Sequence, residues 1–126
     1  MGIDLMYDKT VLSQLPQTDL NIQHHFSDAV YAKQMHLPAG HVAVSHKHAY
    51  SHLSVLAAGK CIVTTVGDDG KEQAITYQAP ACINIEKGVE HQVEAVEDVA
   101  WFCIHATLET DPKKIDEVAI ASIHET

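Results

Sequence analysis

The sequence has no apolar run long enough to cross a membrane, and residues 1–20 lack the basic start and apolar core of a signal peptide. Internal repeats, linkers and low-complexity segments are also absent. These absences argue against a membrane-spanning, repeat or multidomain protein. The 126 residues, 46% of them hydrophobic, therefore predict one globular domain built on a single hydrophobic core.

Basic residues and cysteines are both scarce. The chain has 8 Lys and Arg against 17 Asp and Glu, a formal net charge of −9, which argues against nucleic acid or an anionic membrane as a partner. Its three cysteines, Cys61, Cys82 and Cys103, are odd in number and form no CxxC pair. That pattern argues against a disulfide framework or a zinc ribbon, and it predicts reduced thiols in a cytoplasmic compartment.

Histidine, by contrast, is abundant, and three of the 10 copies, His46, His48 and His52, form one closely spaced pattern between Gly40 and Gly59. His46 and His48 are two residues apart, so on a strand they point to the same face. His52 follows a short turning segment, and we expect it to start the next strand and face the first two across a hairpin. Chance clustering explains an HxH pair alone, but HxHx3H with a later GxxH at His91 is a stronger pattern. It predicts a site for a transition metal, because imidazole suits zinc, iron, nickel, copper and, less well, manganese.

Alternating apolar residues and turn signals divide most of the chain into short strands. A clear hairpin turn falls at residues 67–70, and many short strands at regular spacing predict a sandwich or barrel. Asp111 and Pro112 can begin a short C-terminal helix over residues 113–120. The predicted strands cover residues 30–37, 42–48, 53–56, 61–66, 72–77, 82–85, 91–96 and 99–107.

The histidine stretch resembles the first motif of the cupins, G(X)5HXH(X)3,4E(X)6G. The chain reads Gly40-x5-His46-x-His48-x3-His52-x6-Gly59, with His52 in place of the glutamate. The second motif, G(X)5PXG(X)2H(X)3N, is matched at the right distance by Gly88-x2-His91. Three positions depart from that second motif, where Pro80, Glu86 and Ala95 replace its first glycine, its proline and its asparagine.

The chain thus resembles a small single-domain cupin of the four-histidine subgroup, over roughly residues 32–107. The resemblance implies an all-β double-stranded β-helix, the jelly-roll barrel, with its core over residues 30–107. Residues 1–26 would add an outer strand or cross to a partner subunit, and residues 108–126 would form a tail. Because the strand edges of a small open barrel need covering, we expect a homodimer.

The resemblance also implies the site. One divalent transition metal per chain would be held by His46, His48, His52 and His91, with iron or manganese favoured and nickel, copper or zinc as alternatives. Four neutral imidazoles leave the ion its full charge and two positions for substrate or water. Such a site suits oxygen activation on iron or carbonyl polarisation on other ions, whereas zinc closed by four ligands would be structural.

No acid–base group can be assigned beside the motifs. Glu90 adjoins His91 and should point away from the metal, and Glu86 falls in the preceding turn. Three hydroxyl side chains are candidates by proximity alone: Tyr31, Tyr50 and Ser54. A metal-dependent oxidoreductase of dioxygenase type, acting on a small chelating substrate, therefore leads over an isomerase or lyase. A non-catalytic metal-dependent binding or sensing module is the alternative, because the fold hosts many functions.

Other polar side chains have more than one interpretation. Trp101, Cys103 and His105 share one face of the last strand, and the resemblance implies that Trp101 and Cys103 line the substrate pocket. Trp101 could instead fill the core, and Cys103 could be a small core residue. His105 either supports a metal ligand or lies at the surface. His24 and its neighbour His25 point to opposite faces and are expected at the surface.

Overall fold

The computed structural model describes residues 19–44, 51–67 and 69–107. Within these ranges the regular structure is entirely β, and none of it is a helix that could span a membrane. The strands are β1 (Gln23–Ser27), β2 (Val30–Leu37), β3 (Val42–Val44), β4 (His52–Ala58), β5 (Lys60–Val66), β6 (Glu72–Gln78), β7 (Ala81–Ile85), β8 (Glu90–Ala95) and β9 (Val99–Ala106).

The strands form two antiparallel sheets packed face to face. The larger sheet has the order β1-β2-β9-β4-β7, and the smaller has the order β3-β8-β5-β6. Buried and less buried residues alternate along β2 and through most of β4 and β5, as expected for strands with one face on a core. This all-β sandwich confirms the predicted fold class.

The interior is apolar at one end and polar at the other. In the larger sheet, Met35, Trp101 and Leu56 lie side by side on the inner face of β2, β9 and β4. They belong to one hydrophobic cluster with Val63 and Val93 of the smaller sheet, which packs opposite. Moving along the same strands toward the other end, the inner face changes to hydroxyl, amine, thiol and imidazole groups. That end contains the candidate site.

Most strand predictions are confirmed to within two residues at either end, and β2 matches its predicted range. The predicted strand over 42–48 is described only as far as Val44, and the C-terminal helix predicted over 113–120 lies outside the described residues. The strand β1 was not predicted. The hairpin expected between the strands before and after residues 45–50 is wrong, because β3 pairs with β8 while β4 pairs with β7 and β9 in the other sheet.

Gly59 holds the turn between β4 and β5 against the turn before β9. Its φ is +90°, and a Cβ at this position would lie 2.1 Å from the carbonyl oxygen of Asp98. The Asp98 carboxylate in turn accepts a hydrogen bond from the backbone N–H of Ala39 at 2.9 Å. Only glycine fits both the left-handed backbone and the close approach, which explains why the first motif ends on this residue.

Candidate functional site

The structure brings two of the four predicted metal ligands together from opposite sheets. His52 is the first residue of β4 in the larger sheet, and His91 lies in β8 of the smaller sheet. Both are buried, each 5% exposed, and their ring centroids are 6.4 Å apart with an interplanar angle of 56°. With metal–nitrogen bonds of about 2.1 Å, two imidazoles on opposite sides of one ion have centroids at most about 6.5 Å apart, so this pair can share an ion in that opposed arrangement.

His46 and His48 fall in residues 45–50, outside the described chain. The residues that flank this segment both adjoin the histidine pair. Val44, before it, pairs with Gln92, the neighbour of His91, and Ser51, after it, precedes His52. Among the residues that the structure describes, no group of three His, Cys, Asp or Glu side chains is arranged to hold a metal ion.

His105 joins the site. It is 3% exposed, so the alternative that placed it at the surface is wrong. Its ring stacks on His52 at a centroid distance of 4.6 Å and on Tyr31 at 5.9 Å, with interplanar angles of 28° and 22°. Because β9 runs between β2 and β4, His105 lies between these two rings. A face-to-face stack restricts rotation of the His52 ring, which is what a metal-ligating imidazole requires of its neighbours.

Tyr31 is the last of three neighbouring rings, after His52 and His105, and it lies next to the edge strand β1. It is fully buried, and its hydroxyl lies 2.7 Å from Nδ1 of His24, a hydrogen-bonding distance. His24 was expected at the surface but is half-buried against Tyr31. His25 does lie at the surface on the opposite face, within 2.8 Å of the Gln34 side chain. The two neighbouring histidines therefore point apart, as strand alternation predicts.

The two predicted pocket residues both point inward, but they differ in surroundings. Trp101 is 1% exposed and belongs to the hydrophobic cluster, which is the placement of a core side chain. Cys103 is half-buried, and the hydroxyl of Ser54 on β4 donates a hydrogen bond to its sulfur at 3.8 Å. Neither residue lines the large cavity described below. Their contact with a substrate stays a prediction.

One inward-facing residue, a lysine, was not predicted from the sequence. Lys33 is 3% exposed and pairs across strands with His24 on one side and Cys103 on the other. Its signal was present in the sequence, because Lys33 shares the inner parity of Tyr31 and Met35 on β2. A lysine on an alternating strand is ordinarily assigned to solvent, however, and only the burial of the whole strand shows otherwise.

A cavity of about 620 Å³ opens between the edge strands β6 and β7. Its floor is largely apolar, and Asp69, Lys71, Glu72 and Glu86 stand among its polar lining. Two lining residues adjoin the histidine pair, since Ile85 is the cross-strand partner of His52 and Thr65 that of His91. The volume is within the usual range for small-molecule sites, so the cavity can hold a small organic molecule next to residues that adjoin the pair, although neither histidine lines it.

The three cysteines are free thiols, as the sequence predicts. Cys82 is exposed, Cys103 is half-buried, and Cys61 is buried in the apolar end of the interior. Burial raises the pKa of the Cys61 thiol from 9.0 to about 11. Cys61 is thus an unreactive core residue at neutral pH.

No protein-family model matches the chain, and no curated protein matches it. Solved structures do match. An oxalate decarboxylase from Bacillus subtilis is 16% identical, with a TM-score of 0.59 over 69% of this chain and 23% of that one. The Lactobacillus farciminis oxalate decarboxylase in its formate complex is 14% identical, with a TM-score of 0.58 over 75% of this chain and 33% of that one.

A smaller protein also matches. A cupin superfamily protein from Desulfitobacterium hafniense is 11% identical, with a TM-score of 0.56 over 74% of this chain and 84% of that one. The chain therefore has the cupin fold that the two motifs predicted. The matches span only about a quarter to a third of the oxalate decarboxylases. At these identities the likeness concerns the fold alone, and membership of the four-histidine subgroup stays a prediction.

Proposed function

We propose that this protein is a metal-dependent oxidoreductase of dioxygenase type that acts on a small organic substrate. One divalent ion, iron or manganese before nickel, copper or zinc, would be held by His46, His48, His52 and His91. The observation that carries the proposal is the approach of two buried imidazoles from facing sheets, 6.4 Å apart between ring centroids. Nothing local in the sequence requires these two strands to meet at this point.

Few residues separate His46 and His48 from Val44 in the sequence. They are two and four residues beyond Val44, so their Cα atoms lie within roughly 7 and 14 Å of the Val44 Cα. Val44 is paired with the neighbour of His91. A four-imidazole set is therefore compatible with the covalent reach of the chain. When bound, the ion would supply oxygen activation or polarisation of a substrate carbonyl.

The chain itself supplies orientation and a dry environment. The His105 ring, stacked between Tyr31 and His52, restricts the orientation of the ligand ring. The cavity beside the pair admits a small organic molecule through its open side, and its apolar floor favours the carbon skeleton over water. Positioning a substrate next to an open metal position is the main task of the protein in such chemistry.

Acid–base groups decide between the candidate reactions. Strand alternation turns Glu90 away from the side of the sheet that carries His91, and Glu86 is exposed and accepts a hydrogen bond from the Asn84 side chain at 2.9 Å. On the described strands, no carboxylate occupies an inner-facing position near the pair. Oxygen chemistry requires such a group less than isomerisation does, which favours the oxidoreductase.

A metal-dependent lyase is the second candidate. It is favoured by Lys33 and Tyr31, which are buried and inward-facing and could carry a proton. Two solved structures with this fold are also oxalate decarboxylases by name. The lyase and the oxidoreductase share the metal site and differ in whether O2 is consumed.

Metal content tests the shared site. We would measure it by mass spectrometry in untagged protein and in His52→Ala and His91→Ala, with His25→Ala as the matched control because that histidine is exposed. The wild type and the control should hold about one ion per chain, and the other two variants should lose it. A wild type that stays metal-free after loading with each candidate ion would refute the site.

Oxygen uptake then separates the reactions. The metal-loaded protein would be mixed with 1,3-diketones, thiols and phenols in an oxygen electrode. Uptake that depends on both metal and substrate supports the oxidoreductase. Turnover without uptake supports the lyase, and binding without turnover supports the non-catalytic module.

A further inference from the structure

The outer face of the larger sheet, turned away from the smaller sheet, has no Asp, Glu, Lys or Arg side chain. Lys33 is the only such residue in the five described strands of this sheet, and it faces inward. In the whole chain, by contrast, 20% of the residues are charged. The smaller sheet shows the ordinary pattern, with charged residues on its outer face at Lys60, Glu72, Glu90 and Glu94. A sheet face in contact with water normally carries such residues, so their absence from the larger sheet requires an explanation.

The middle of this outer face is apolar. Leu53 on β4 pairs with Ile104 on β9, and two residues further along Val55 pairs with Phe102. Because β9 is the central strand of the five, these four residues form an apolar block at the centre of the face. Leu53 is 48% exposed, and the other three side chains are half-buried. The opposite face of β9 carries the core residue Trp101, so this strand is apolar on both faces, which is typical of strands covered on both sides.

Uncharged polar side chains surround the apolar block. The side-chain oxygen of Gln34 lies 2.8 Å from Nε2 of His25, and its amide nitrogen lies 2.7 Å from Nε2 of His36, both hydrogen-bonding distances. On the other side of the block, β7 contributes Cys82 and Asn84. Polar groups that already bond to each other lose less when water is removed from them. An apolar centre with an uncharged polar rim is the composition of a protein–protein interface, where charged residues are depleted.

The charge of the chain favours a second copy as the partner. With a formal net charge of −9, two copies repel each other wherever their acidic surfaces meet. The outer face of the larger sheet avoids this repulsion, because neither copy brings a carboxylate to the centre of the contact. Nucleic acid and anionic membranes fit the face poorly, because its strands offer no outward lysine or arginine to bind phosphate groups.

The size of the face is close to what a stable dimer requires. Its five strands are 5 to 8 residues long. At about 4.8 Å between strands and 3.3 Å per residue, they cover about 500 Å² in projection. Protruding side chains raise the accessible area above the projected one, toward the roughly 800 Å² per partner of a standard interface. The apolar block lies at the centre, where interface residues contribute most to binding.

We propose that the protein forms a homodimer through the outer face of the larger sheet, with the apolar block of one copy packed on that of the other. Two such faces would stack about 10 Å apart, as sheets do inside a β-sandwich. This contact uses the face of the sheet, whereas the sequence predicted that strand edges would be covered. Deleting residues 1–20, none of which belongs to the face, should therefore weaken the dimer without abolishing it.

Sedimentation equilibrium of the untagged full-length protein measures the dimer dissociation constant. Leu53→Glu places a carboxylate in the apolar block of both copies and should raise this constant at least about 100-fold. Leu53→Met keeps an apolar side chain of similar volume and should stay within about threefold of the wild type. Val96→Glu is the matched control, because Val96 is 45% exposed but lies between β8 and β9, outside the face. Circular dichroism checks that every variant is folded.

Hydroxyl-radical footprinting of the wild type locates the interface without any variant. Oxidation of the Leu53 and Phe102 side chains, followed by mass spectrometry, should fall when the protein is concentrated from monomer to dimer. Oxidation of Val96 should not change. Because this measurement uses the wild type alone, it tests the proposal even if Leu53→Glu fails to fold.

Four results would overturn the proposal: a wild type that stays monomeric, a Leu53→Glu variant that dimerises as tightly as the wild type, a Val96→Glu variant that loses the dimer to the same extent as Leu53→Glu, or equal oxidation of Leu53 in monomer and dimer. A monomer in which Leu53 is already protected would mean that another part of the same chain covers the face. A dimer without protection of Leu53 would mean that the copies meet through a different surface.

Discussion

Replacing His105 tests whether the ring stack positions a metal ligand. In the structure His105 lies between Tyr31 and His52, and His105→Ala removes a ring that contacts both. An aromatic stack contributes about 0.5–1.5 kcal/mol beyond its buried area. Since about 1.4 kcal/mol is a factor of ten in affinity, the metal dissociation constant should rise by up to about tenfold. That is at the lower end of the roughly 10- to 100-fold losses seen when groups behind a metal ligand are removed.

The assay is competition for the metal against a chelator of known affinity, with two further variants as controls. His105→Phe keeps a ring in the stack and should retain affinity within about threefold if orientation is the role of the residue. Tyr31→Phe removes only the hydroxyl bonded to His24 and should leave the affinity unchanged. Folding is checked independently, because loss of a large buried side chain destabilises a domain by about 3 kcal/mol.

Two outcomes would refute this reasoning. If His105→Ala binds metal as tightly as the wild type, the stack does not orient His52. If His105→Ala and His105→Phe both lose the ion completely, as expected of His52→Ala, then His105 is itself a ligand and the four-histidine set is wrong.

Other parts of the molecule yield further expectations. Gly59→Ala should destabilise the fold by several kcal/mol, because the added Cβ would meet backbone atoms. Gly40→Ala, at φ +82° with open space around it, should cost only about 1 kcal/mol. Urea unfolding measures the free energy of unfolding of both variants, and equal losses would contradict the steric argument. Burial raises the pKa of the Cys61 thiol from 9.0 to about 11, so the free energy of unfolding should fall as the pH rises from 9 to 11, where only the unfolded thiol loses its proton. Cys61→Ala should make that fall smaller, which denaturant unfolding at several pH values measures. Iodoacetamide at pH 8 should label Cys82 first, and mass spectrometry showing Cys61 labelled at the same rate would refute the burial. Gel filtration should show a homodimer, and deleting residues 1–20 should weaken it. A monomer both with and without these residues would refute the predicted dimer.

Local patterns in the sequence determined which segments are strands and which way their side chains face. Residues 30–37 alternate between inner and outer faces, and β2 matches that range to the residue. Turn glycines such as Gly59 and Gly70 marked the ends of neighbouring strands. These features are encoded within a few residues, because alternation and positive φ are properties of the local backbone. The strand β1 was not predicted, because its sequence, QHHFS, is mostly polar and it lies at an exposed sheet edge.

The histidine spacing likewise indicated a metal site and the cupin fold before any strand was paired. It could not indicate what surrounds the histidines. Which strands become neighbours is decided by pairing over long sequence separations, and a shift of one residue in register would turn every side chain to the other face. The hairpin expected around residues 45–50 is wrong for this reason, since β3 and β4 enter different sheets.

Only the tertiary structure placed β9 between β2 and β4. That order stacks His105 on His52, and it makes Lys33 an interior residue next to Cys103. A lysine or histidine on a strand is encoded the same way whether its face is solvated or buried. The packing of the second sheet decides the difference, because it removes water from one face and thereby turns ordinary polar residues into a candidate site.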